Sequence, residues 1–158
     1  MARGNRTRAD GVACLLLASL LLGCEAIGAP DAYRTQVCGA VSDLSGPVAD
    51  AVTALEAAVS TRDANALASQ VDALKAAVDR MTTRLVDVPL WTSGADVVKD
   101  MRAISAGYVA AIGSLGQAVD SRDQAQVDTA MAGLEAARLA APGLGDHMRT
   151  ARLAGLNC

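Results

Sequence analysis

Phenylalanine is missing from this chain, and the other aromatics come down to Trp91, Tyr33 and Tyr108. A core without large rings must be filled by Ala, Leu and Val. Such a core lets helix backbones approach closely and leaves little area for large pockets, and Ala and Leu are the strongest intrinsic helix formers. Histidine is represented by His147 alone, and glutamate by Glu25, Glu56 and Glu135. That scarcity excludes a di-iron carboxylate bundle, which needs Glu-x-x-His motifs on facing helices. A Cys-x-x-Cys-His haem attachment, phosphate-binding glycine loops, nucleophile elbows and zinc-ligand spacings are absent too. Lysine occurs only at Lys75 and Lys99, and no basic patch is interleaved with aromatics. Nucleic acid is therefore excluded as a partner, since binding to phosphate backbones needs concentrated positive charge.

What is present is length for one domain, 158 residues, and an apolar composition: 52% hydrophobic residues with a mean hydropathy of +0.28. Part of that comes from the N-terminus. Residues 1–11 carry Arg3, Arg6 and Arg8, Val12 to Leu22 is an uncharged run of 11 residues, and Gly23-Cys24 follows. This order of basic, apolar and small residues predicts a secretory signal peptide. A bilayer-spanning helix would need about 20 apolar residues. No Arg-Arg pair marks the twin-arginine route, so general secretion is expected.

Leu21-Leu22-Gly23-Cys24 resembles the lipobox of bacterial lipoproteins, with Leu22 bulkier than the commonest residue at its place. The resemblance covers about the first 25 residues. It implies that Cys24 receives a diacylglycerol, that cleavage follows Gly23, and that the mature chain is held at the extracytoplasmic face of the cell membrane. Residues 1–23 are then a discarded leader, Cys14 with them, and residues 24–30 a short tether. Removing 1–23 leaves 11 basic and 16 acidic residues, a net charge of −5. The remaining cysteines, Cys38 and Cys158, are most simply a disulfide in an exported chain. Free or intermolecular thiols are the other reading, and a nucleophilic thiol would want His147 beside it.

Set against itself at an offset of 60 residues, the chain repeats. Ala58-Val59-Ser60-Thr61-Arg62-Asp63 matches Ala118-Val119-Asp120-Ser121-Arg122-Asp123, with apolar positions aligned on both sides. Val37, Val41, Leu44, Val48, Val52, Leu55 and Val59 recur at helical spacing, and Leu67, Val71, Leu74, Val78, Met81 and Leu85 return as a heptad-like stripe. Each copy predicts a helical hairpin, over about 31–86 and 93–141, with turn residues that cap the following helix. Residues 142–158 predict a short C-terminal helix. The fold expected for 31–158 is all-α, an up-down-up-down four-helix bundle. Gly46-Pro47 should kink or restart the first helix, Ala106-Gly107 is a corresponding weak spot, and Ser93 with Asp96 should cap the third helix.

Candidate sites are few. Trp91, between Leu90 and Thr92 in the inter-hairpin loop, is either a lid on the bundle or a contact for a partner. Met81, Met101, Met131 and His147-Met148 offer soft ligands of the kind copper takes, but the first three lie on core stripes. Arg80 with Arg84, and Asp96 with Asp100, read as solvated helix faces. No catalytic set is discernible. The expectation is a non-catalytic, lipid-anchored envelope protein whose bundle binds or scaffolds other envelope proteins. The alternative is a carrier that holds a small hydrophobic molecule, haem or copper between its hairpins.

Overall fold

A computed structural model describes residues 28–158; the leader, Cys24 and the tether as far as Ile27 lie outside the described residues. The described chain is all-α, with no strand among the described residues. Helix α1 (Asp31–Asp43) runs through a π-helical turn (Leu44–Val48) into α2 (Ala49–Thr61). Helix α3 (Ala64–Val86) returns, a 3-10 turn (Thr92–Gly94) leads into α4 (Ala95–Ser121), and α5 (Gln124–Arg138) and α6 (Leu144–Leu153) follow. The four-helix bundle with a short sixth element is thus the fold that the repeat implied.

The repeat is visible in the backbone itself. Arg62 and Arg122 end their helices in the left-handed region, at φ 54° and 56°. Asp63 and Asp123 follow as extended N-caps, and each carboxylate accepts from the two backbone N–H groups two and three residues on. Those donors would otherwise be unpaired at the helix start. The hydroxyls of Ser60, Thr61 and Ser121 instead turn back to carbonyls of the preceding helix. Capping therefore falls on the aspartates alone.

The α-helix restarts around Gly46-Pro47 as the sequence suggests: the missing N–H of Pro47 falls in the π turn, and α2 begins at Ala49 with helical dihedrals at Asp43 and Ala49 on either side. The extra residue shifts the apolar register, so Ala40, Ala51 and Ala58 join Val37, Val48 and Leu55 in the core while Val41 and Val52 are only half-buried. Two other local expectations are corrected. Ala106-Gly107 is no weak spot, because α4 is continuous for 27 residues. A Cβ on Gly107 would come within 2.9 Å of the Ala137 Cβ, so the glycine is where α5 packs closest on α4. Ser93 makes no capping bond either; α4 begins from Gly94 without a side-chain cap.

Helix α4 organises the packing. It lies against α3, α5, α6 and the 3-10 turn, and touches α1 as well. By contrast, α5 brings no Cα within 8 Å of α1, the π turn or α2 among the described residues. The bundle is consequently open along its first–fourth seam, where a cleft of about 360 Å³ is lined by Leu44, Val52, Tyr108, Glu135 and Arg138. The core is continuous from Tyr33 to Leu156 and contains Leu55, Leu74, Met81, Met101 and Leu115, each essentially inaccessible to water. The stripe on α3 is the cleanest of the four: Val71, Leu74, Val78, Met81 and Leu85 are all buried.

Candidate functional site

The residues singled out in the sequence converge on one end of the bundle. Helix α3 stops at Val86, ahead of Pro89, and two guanidinium nitrogens of Arg102 in α4 donate to the Leu85 carbonyl at 2.8 and 3.2 Å. A cation thereby satisfies the carbonyl end of α3 and complements its dipole. The loop then brings Trp91 against Tyr33 of α1, ring centroids 5.0 Å apart in an edge-to-face arrangement. Tyr33 is 1% exposed, and its hydroxyl donates to the Gly94 carbonyl at 2.6 Å. Burial pushes this phenol up to about 12. It stays a donor at any ordinary pH. Gly94 is required by closeness: a Cβ there would fall 2.1 Å from the Tyr33 hydroxyl and 2.5 Å from the Trp91 ring.

Trp91 is thus partly a lid, clamped by Tyr33, and partly accessible. Its neighbour is the more unusual residue. Leu90 is 100% exposed. Around them lies a groove of about 550 Å³ lined by Tyr33, Val88, Pro89, Leu90 and Trp91, with Lys99 and Arg102 at its edge.

The C-terminus closes on the same end. The Cys38 and Cys158 sulfurs are 2.08 Å apart, at disulfide-bonding distance, with Cα atoms 5.1 Å apart. Just before this, Gly155 turns at φ 103° and packs on Gly28, where a Cβ on Gly155 would approach the Gly28 Cα to 2.6 Å. The first described residue is therefore held beside the C-terminal turn. Cys24 itself lies outside the described residues.

Comparison with protein-family models, curated proteins and solved structures gives no match to this chain.

The other sequence candidates separate. Met81 and Met101 are fully buried core residues, Met131 packs against the core, and Met148 is buried on α6. Among the described residues no group of three His, Cys, Asp or Glu is disposed to hold a metal ion. His147 is not beside Cys38 or free; its Nδ1 lies 2.7 Å from a carboxylate oxygen of Asp100. That hydrogen bond raises the imidazole above its ordinary value, with the charges of Asp100, Asp96 and Asp146 adding to it. Asp100 and Arg84, read as solvated, are in fact cross-helix ties. Arg84 Nε donates to Asp43 at 2.7 Å, passing over Gly39, and Asp43 is largely buried. Single charges on helical spacing carry no sign of a partner elsewhere in the chain, so sequence reading could not find these pairs. Tyr108 lies buried on the core stripe, with its phenol raised by burial.

Proposed function

We propose that the chain is a lipid-anchored lipoprotein of a bacterial cell envelope, whose helical bundle binds or scaffolds other envelope proteins without catalysing a reaction. The observation that supports this reading is the gathering of Gly28, the Cys38–Cys158 pair and the Trp91 loop at one end of the bundle. A tether only residues 24–30 long would hold that end at the membrane. The opposite end and the flanks, including the cleft between Tyr108 and Leu44, then face outward. Pairing of Cys38 with Cys158 suits an oxidising compartment outside the cytoplasm. Partners would be reached through an exposed helix face on the outward flanks. The test is crosslinking in the native envelope. One specific protein partner, lost when an exposed face is altered, is the expected result; a chain that captures nothing while correctly anchored would contradict it.

The second reading is a carrier for a small hydrophobic molecule between the hairpins. It is favoured by a cleft of about 460 Å³ on the α3–α4 seam, lined by Leu85, Val86 and Val109 with Thr82 and Ser105 at its polar edge. Native mass spectrometry of protein purified from its own envelope separates the two readings, because a carrier retains added mass and a scaffold does not.

A further inference from the structure

Leu90 stands fully exposed beside Trp91, and Leu153, 87% exposed, lies two residues before the Gly155 that packs on Gly28. Both exposed leucines are therefore at the end of the bundle where the chain enters. Cys24 precedes Gly28 by four residues. Extended backbone covers at most ~3.6 Å per residue, so Cys24 and Gly28 are separated by no more than about 14 Å. The polar headgroup layer on each side of a bilayer is itself roughly 5–8 Å deep. A bundle fixed through Cys24 therefore keeps this end within about 14 Å of the acylated residue, close over the headgroup layer.

We propose that the Leu90–Trp91 tip is a second membrane contact, in which Leu90 enters the interfacial region of a phospholipid bilayer. The inference rests on the anchoring reading above and adds an orientation to it. Trp and Tyr prefer that interface because one part of the ring system is apolar and the other wet. Lys99, which also lines the groove, has a long stem that can lie along apolar surface while its charge stays in the polar layer. Arg34 is paired with Asp31, Arg102 is taken up by the Leu85 carbonyl, and Asp87 and Asp96 offset Lys99 in sequence, so this end carries no cluster of free positive charge. The contact is accordingly an apolar one. It needs no anionic lipid, and it persists in high salt, which screens charge and leaves apolar burial intact. Two contacts, one covalent and one through Leu90, hold the bundle in one attitude instead of letting it swivel on its tether.

The chain carries its own probe, since Trp91 is its single tryptophan. The experiment reconstitutes the mature, lipidated protein in phosphatidylcholine vesicles whose acyl chains are brominated near the carbonyl end, then reads flotation and Trp91 fluorescence. The proposal expects protein that floats, is strongly quenched, and stays quenched at high salt. Leu90→Asp, at a position that supports no packing, should still float and keep its helical circular dichroism while losing the quenching. Protein that floats unquenched overturns the contact and leaves the anchor standing. Equal quenching in Leu90→Asp overturns the role of Leu90, because the tether alone then brings Trp91 to the lipid. Emission that shifts with protein concentration at fixed lipid means that a second copy covers the tip, and this too overturns the proposal. Protein that does not float defeats the anchoring reading, and the second contact falls with it.

Discussion

Opening the Cys38–Cys158 bridge should remove a large part of the stability of the domain. The two residues are 120 positions apart, so the closed loop spans almost the whole described chain. Loop-closure entropy for a ring of that size, taken from the unfolded ensemble, amounts to about 5 kcal/mol at 25 °C. A domain of this size has roughly 5–15 kcal/mol in total. In the Cys38→Ala/Cys158→Ala double variant the native helices lose little core contact, because Cys38 is only partly buried at the margin of the core. The effect therefore acts mainly through the unfolded chain, which becomes free to expand. Urea unfolding followed at 222 nm and by Trp91 fluorescence measures it. With a slope of about 1–3 kcal/mol per molar urea, the midpoint should fall by roughly 2–5 M. The slope should also rise, since the opened unfolded chain exposes more surface. A loss below about 1 kcal/mol with an unchanged slope would refute the reasoning. It would mean either that the thiols are free in the folded protein or that the unfolded chain is compact without them.

Several further outcomes are expected. His147 titrates above its ordinary value because it is bonded to Asp100, so its contribution is fully present below about pH 6.5 and is lost as pH rises through the raised folded value. Thermal midpoints should fall over that window, and His147→Gln should flatten the slope there. Asp63→Ala and Asp123→Ala each remove a cap that serves two N–H groups and should cost about 1 kcal/mol, additively, in denaturant titrations. Arg62→Gly and Arg122→Gly relieve a left-handed non-glycine backbone and should raise stability by roughly 0.5–1 kcal/mol each by the same measurement. Gly94→Ala forces a methyl into the Tyr33 hydroxyl and the Trp91 ring. It should cost about 1–3 kcal/mol and change the Trp91 emission of the folded state.

The helices and their pairing could be read from the sequence because apolar spacing and an internal repeat are local properties. Val71, Leu74, Val78, Met81 and Leu85 sit on one face whatever lies opposite, and Arg62-Asp63 with Arg122-Asp123 writes one turn twice. The even cysteine pair, its meeting at the end where the first helix starts, and the loop around Trp91 were likewise visible, though not that Gly28 packs on Gly155 or that Trp91 packs on Tyr33. Other features depend on residues far apart in the chain. Gly46-Pro47 reads as a kink or restart, but its form, a π turn that leaves Val48 and Leu55 in the core, is set by packing that the sequence does not display. Asp43 with Arg84, and Asp100 with His147, become pairs only once α1 lies against α3 and α6 against α4. Leu90 carried no signal at all. An apolar residue beside Pro and Trp reads as part of a lid, and its full exposure follows from Tyr33 drawing Trp91 inward and leaving its neighbour outside.

Cys24 and its lipid are the centre of the functional reading, and the N-terminus of the mature protein tests them most directly. Intact and N-terminal peptide mass spectrometry on protein extracted from bacterial membranes should find a chain that begins at Cys24 with a thioether-linked diacylglycerol. A chain that begins elsewhere, or carries an unmodified Cys24, would contradict the account.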